Sequence, residues 1–278
     1  MNPLVLLPVL AAAVMHASWN ALLKTGADRF WWMTMFCVVD GLAGLALLLF
    51  LPLPAPASWP YILGSAALHV VYQFLLLRTY AKGDFSQTYP VARGSAPLLV
   101  ALGRFLIVGE QLSAAEWLGV VVVSVGLAGL ALEGGRFHRE AAPAAFLTGV
   151  SIAAYSVVDG VGGRLSQSAL AYLAWMSLIW SIVMLLIYVG LRGWRRLVVR
   201  PRREVVTAGA GGLIAIGGYG IIIWAMTVSP MGPVSALRET SVVFATVIAR
   251  LFLKERPSPF RITACLIVAA GAVCLALG

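Results

Sequence analysis

Residues 93–132 read RGSAPLLVALGRFLIVGEQLSAAEWLGVVVVSVGLAGLAL, and residues 238–277 read RETSVVFATVIARLFLKERPSPFRITACLIVAAGAVCLAL. Laid over each other without gaps at a shift of 145 positions, they agree at nine of forty residues. Apolar low complexity readily produces chance matches of Leu, Val and Ala. It does not readily put Arg93/Arg238, Glu110/Glu255, Ser113/Ser258 and Gly126/Gly271 in one register. The chain therefore reads as an internal repeat, the weak sequence symmetry that two-fold membrane architectures leave behind.

Each copy holds an apolar segment that carries the arginine, a polar break, and a second apolar segment. Working outward, polar residues, prolines and glycines divide the chain into ten segments. They are roughly 3–23, 30–51, 59–80, 86–107, 114–132, 142–161, 168–191, 204–226, 232–253 and 257–277, each of 19–24 residues. As helices these cross a hydrocarbon core of about 30 Å. The runs are continuously apolar rather than alternating, which favours helices over barrel strands. The fourth segment then corresponds to the ninth and the fifth to the tenth. Five segments per copy is an odd number, so the second copy enters the membrane from the opposite side. The expected fold is an all-α integral membrane protein with ten transmembrane helices. They form two inverted-topology repeats of five, residues 1–135 and 142–278.

Composition agrees. The chain has 278 residues, 61% hydrophobic and 11% charged, against about 25% charged in a soluble domain. Such a chain cannot clothe a water-exposed surface, which excludes a cytosolic enzyme, a disordered protein and a secreted disulfide scaffold. Cys37, Cys265 and Cys274 lie inside apolar runs, without the spacing of a disulfide framework or a zinc site. The N-terminal run lacks a basic flank and outlasts a signal-peptide core, so it reads as the first span. The net charge of +9 does not point to nucleic acid, because six arginines crowd between Arg192 and Arg203, between two apolar runs. With ten spans, sixteen Lys and Arg fall on the side opposite the termini and two on the terminal side. The positive-inside bias puts the 192–203 loop in the cytoplasm and both termini outside, in the inner (cell) membrane.

Gly-Glu-Gln-Leu-Ser at 109–113, Lys-Glu-Arg-Pro-Ser at 254–258, and His-Ala-Ser-Trp-Asn at 16–20 followed by Lys24 carry a family likeness. With the two five-helix repeats, they resemble the EamA-type branch of the drug/metabolite transporter superfamily over essentially the whole chain. The resemblance implies a ten-helix carrier with a central cavity between the repeats. It also implies transport of small organic solutes, often export. Many members are thought to keep both termini in the cytoplasm, whereas the charge count here places them outside.

Ionisable residues deep in a span are costly and usually face a cavity or a partner. Arg93 and Arg238 each lie about 10 Å below opposite surfaces and should bracket the midplane, some 10–15 Å apart along the normal. Symmetry-related guanidiniums suit an anionic or zwitterionic solute. The competing reading pairs them with internal carboxylates, Glu239 first, with Asp159 and Asp40 behind. Adjacent helix positions diverge by about 100°, so Arg238 and Glu239 are not expected to face one direction. His16 and Asn20 share a face of the first helix, with Trp19 beside it. His69, Tyr72 and Gln73 form a stripe on the third helix, and Tyr219 and Trp224 are candidates to line the eighth. Asp40, in mid-span, and Asp159, near an outer end, are candidates to carry a coupling proton. Solvation at the surface is the simpler reading for Asp159. Pro90, Gly94 and Pro97 surround Arg93. Pro230 and Pro233 read as a helix start.

Walker A, dinucleotide and HExxH patterns are absent from the sequence. The glycines of GAGGLIAIGGYG (209–220) read as close helix packing. The expectation is a secondary transporter, not an enzyme, with no cofactor or metal. Its partners are a small-molecule substrate, the lipid bilayer and a proton or counter-solute. The alternative is a membrane enzyme acting on a lipid-linked phosphate.

Overall fold

The structure is a computed structural model that describes residues 3–26, 28–82, 85–109, 111–130, 142–252 and 257–277. All the regular secondary structure among these residues is helical. Helices α1 (Pro3–Thr25), α2 (Arg29–Leu48), α3 (Trp59–Lys82), α4 (Phe85–Val108) and α5 (Ala114–Leu130) make the first half. Helices α6 (Ala142–Leu165), α7 (Ala169–Arg192), α9 (Arg202–Val228), the pair α10 (Met231–Arg238) and α11 (Ser241–Phe252), and α12 (Pro259–Leu277) make the second. A five-residue helix, α8 (Trp194–Val198), lies in the basic loop and was not expected. Glu110, Arg136, Arg139 and the Lys254–Arg256 part of the second motif lie outside the described residues.

Among the described residues, seven helices are long and apolar enough to cross a membrane: α1, α2, α3, α6, α7, α9 and α12. Helix α5 is apolar but shorter. The ninth expected span is not one helix, because it breaks between Arg238 and Ser241. Together α4 and α10–α11 are the elements that carry the buried arginines. Charge and a polar first turn dilute α4, and the break shortens α10 and α11.

Local chemistry explains the helix ends. Ser113 and Glu116 form a capping box on α5: Ser113 N–H donates to Glu116 Oε2 at 2.8 Å, and Glu116 N–H to Ser113 Oγ at 3.2 Å. Ser258 caps α12, accepting from Arg261 N–H at 3.1 Å, with Pro259 in the first helical position. The repeated serines at 113 and 258 are thus equivalent helix caps. Asp28 and Ser168 cap α2 and α7 in the same way.

Packing follows a two-fold pattern. Helix α2 lies against α7 and α5 against α12, while α1 packs on α9 as α6 packs on α3. Small residues allow the close approaches. Gly44 faces the Ala174 backbone, Gly119 faces the Gly271 carbonyl, and Gly211 and Gly212 face Phe36 and Val39. The glycine-rich stretch of α9 is therefore a packing surface.

Candidate functional site

The break after Arg238 sets the site. From Glu239 to Val243 the backbone adopts i→i−3 bonds: Glu239 N–H to Ala236, Thr240 N–H to Leu237, Val242 N–H to Glu239 and Val243 N–H to Thr240. The Thr240 hydroxyl also donates to the Leu237 carbonyl at 2.7 Å, competing with the regular ladder. Pro230 caps α10 and Pro233 sits in its first turn, so they start the helix rather than break it.

A cavity of about 100 Å³ lies beside this break. It is walled by α1, α2, α3, α6, α7 and α9, with Arg238 reaching in from α10. Arg238 is 3% exposed, and its Nη2 has no hydrogen-bond partner among the described residues. Its Nε lies 3.4 Å from Glu239 Oε1. The other Glu239 oxygen pairs with Arg93 Nε at 2.7 Å, a close ion pair rather than an aligned hydrogen bond. Arg93 Nη2 donates to His16 Nε2 at 2.8 Å. A guanidinium only donates, so His16 accepts there and is neutral in this arrangement.

Two expectations are corrected here. The guanidiniums of Arg93 and Arg238 are not about 10–15 Å apart, as expected, since both contact the one carboxylate of Glu239. Nor do Arg238 and Glu239 diverge, because the helix ends between them and long side chains curl back at a helix terminus. One carboxylate serves two buried guanidiniums, and of the two arginines it is Arg238, whose Nη2 has no hydrogen-bond partner among the described residues, that lines the cavity.

Much of the rest of the wall is aromatic. The His69 ring lies 4.2 Å from Tyr155, 4.8 Å from Trp180 and 5.5 Å from Tyr219, centroid to centroid. His69 Nδ1 is held by the Ser65 carbonyl at 3.0 Å and the Ser65 hydroxyl at 3.1 Å. Gln73 donates to Cys37 Sγ at 3.8 Å. Asp40 Oδ1 and Gln73 Oε1 are buried without a hydrogen-bond partner among the described residues. Both residues line the cavity.

Of the residues singled out from sequence, His16, Trp19, Asp40, His69, Tyr72, Gln73, Tyr219 and Arg238 line this cavity. Arg93 and Glu239 stand behind Arg238. Asn20 does not join them, because its side chain donates to the His16 carbonyl on its own helix at 2.8 Å. Trp224 is 38% exposed on the outside of the bundle. Asp159 is not a solvated surface acid. It is fully buried and accepts hydrogen bonds from Tyr172, at 2.9 Å, and from Tyr219. Tyr172 also contacts the Tyr61 carbonyl at 3.2 Å. The acid thus ties α3, α6, α7 and α9 together just beyond the cavity. Sequence reasoning missed Tyr155 and Trp180. Each sits in an apolar run where an aromatic reads equally as core, and only the polar neighbours Ser156, Ser177 and Ser181 hinted at an inward face.

Fold and site define a multi-pass helical membrane protein with a charged, aromatic-walled cavity at its centre. Through residues 140–277 the chain belongs to the EamA-like transporter family, whose model matches that stretch. It is accordingly a membrane transporter of the drug/metabolite transporter superfamily, with a small molecule as substrate and the lipid bilayer as its surroundings. A solved crystal structure superposes on 100% of this chain and 99% of its own length with a TM-score of 0.83. At 21% identity that likeness shows the fold alone. No curated protein matches the chain by sequence.

Proposed function

We propose that the protein is a secondary transporter that carries a small anionic or zwitterionic metabolite by alternating access, in the direction of export. The observation that carries this reading is the Nη2 of Arg238, buried at the cavity wall and without a hydrogen-bond partner among the described residues. A buried guanidinium cannot shed its proton. Leaving part of it unsatisfied is costly, and a carboxylate or phosphate entering the cavity satisfies it with charge-assisted bonds. The aromatic wall would cover the rest of a small organic solute, and Asp40 would meet a cationic end or a coupling proton.

All ten segments cross the inner membrane in this reading, α4 and α10–α11 included, as repeats 1–135 and 142–278. The mutual packing of α2 with α7 and α5 with α12 supports that arrangement, because elements on a two-fold axis meet their own counterparts. Termini outside and a cytoplasmic 192–203 loop follow from the charge count. The two halves then rock about the cavity. Asp159 with Tyr172 and Tyr219 closes its outer end, and Asp159 and Asp40 are the candidate coupling acids.

Proteoliposome flux tests the reading. Arg238→Gln should abolish uptake or efflux of small carboxylates and amino acids while the protein stays folded. Wild-type flux from that variant would end the anion-site reading.

A further inference from the structure

The loop between α7 and α9 is the most basic stretch of the chain, with Arg192, Arg195, Arg196, Arg200, Arg202 and Arg203 in twelve residues. A positive-inside signal requires only that such charges be present. It does not require them to be built into a shape, and here they are. The strap is anchored by Leu197, which is buried and whose carbonyl accepts from Trp31 Nε1 at 3.0 Å. Arg200 pairs with Asp28 at 2.7 Å and lies 4.9 Å over the Trp31 ring. Its Nε donates to the Arg196 carbonyl at 3.2 Å, fixing the loop. Asp28, Arg192, Arg196, Val199, Arg200 and Pro201 then line one surface cleft. Three arginines thus share the cleft with one carboxylate, Asp28, while Arg200 also lies 3.9 Å from Glu204. Arg192 and Arg196 are exposed and form no ion pair among the described residues.

The apolar side chains of the strap complete the picture. Trp194 and Val198 lie one helical turn apart on one face of α8 and are 57% and 51% exposed. Arg196 points to the other face, about 200° round from Trp194, and Arg195 lies at the flank. An exposed Trp–Val pair flanked and opposed by arginines is unfavourable in water. It is the pattern of a segment lying in the plane of a bilayer interface.

We propose that this cleft binds the phosphate of an anionic phospholipid headgroup, with α8 seated in the interfacial layer. Arg192 and Arg196 hold the phosphate, Arg200 shapes the cleft from its pair with Asp28, and Trp194 and Val198 reach the acyl boundary. Juxtamembrane clusters of four to eight basic residues attract anionic lipid by charge alone. The cleft adds geometry to that attraction.

The test uses the purified full-length protein in a neutral detergent, titrated with phosphatidylglycerol, phosphatidylcholine or inorganic phosphate and read by melting temperature. Phosphatidylglycerol should raise the melting temperature saturably, and the other two should not. In an Arg192→Gln/Arg196→Gln variant the half-saturating lipid concentration should rise roughly 30-fold. An Arg192→Lys/Arg196→Lys variant keeps the charge and the topology signal but not the planar fork, and should show a several-fold rise. An equal response to phosphatidylcholine overturns the proposal, as does full reproduction of the effect by inorganic phosphate. An unchanged half-saturation in the glutamine variant does so too. If the glutamine variant does not fold, the lysine variant decides, and wild-type behaviour there means diffuse charge rather than a built site.

Discussion

Helix α4 and the α10–α11 pair hold the same register in the repeat, yet they use their arginines differently. In α4 the helix runs unbroken from Phe85 to Val108 through Arg93, and Arg93 is engaged by Glu239 and His16. In the second half the position after the arginine is Glu239 rather than Gly94, and the helix ends there. Arg238 is left with a long 3.4 Å contact to that glutamate and a bare nitrogen at the cavity. The difference teaches a division of labour. One arginine joins the halves through a close ion pair, and on the proposed reading its counterpart, with its longer contact to the same acid, is the one that takes an external anion.

Glu239 joins the two arms of this comparison, so its loss should have the largest effect. Glu239→Gln leaves two buried guanidiniums without their shared acid and should cost about 3–5 kcal/mol, seen as a marked fall in melting temperature. Arg93→Gln combined with Glu239→Gln should restore part of that stability without restoring flux. Full recovery of both would make the cluster a structural lock only. A smaller effect is expected at Asp40, which lines the cavity apart from the arginine cluster. Asp40→Asn should flatten the pH dependence of flux while leaving melting nearly unchanged, because the amide holds a fixed charge where a carboxyl gains and loses a proton. An unaltered pH profile would remove Asp40 from coupling. The smallest effects compare the repeats at their caps. Ser113→Ala and Ser258→Ala should each cost about 1 kcal/mol in chemical denaturation, the former more because Glu116 completes its box. Equal losses would show that the reciprocal bond adds nothing.

Much of this was legible in the residues. Apolar run length placed the seven long apolar helices and the shorter α5, because a spanning helix must satisfy its own backbone and can be read one segment at a time; it did not foresee that the ninth segment breaks into α10 and α11. The gap-free repeat picked out Arg93 and Arg238, because buried charge is rare enough to stand out. The repeated serines were visible too, although only the structure gives them their role as caps. What escaped the sequence depends on contacts between distant segments. Pairing of the arginines with Glu239 was legible as the competing reading, and both contacts are present; what was not legible is the helix break made by Thr240 and by i→i−3 bonding that lets Arg238 and Glu239 meet, which apolar run length does not report. Asp159 looked like a surface acid because it lies close to a helix end. Tyr172 from α7 and Tyr219 from α9 enclose it, and no local pattern relates residues so far apart. Asn20 shared a helix face with His16, as its spacing required, but spent its side chain on the helix backbone.

The central claim is that Arg238 receives the negative group of the solute. A melting-temperature screen of the purified protein against small anions, zwitterions and cations tests it most directly, run in parallel on wild type and Arg238→Gln. Anions or zwitterions should stabilise the wild type, cations should not, and the response should vanish in the variant while its unliganded melting temperature stays close to wild type. Stabilisation by cations alone, or an undiminished anion response in Arg238→Gln, would contradict the account.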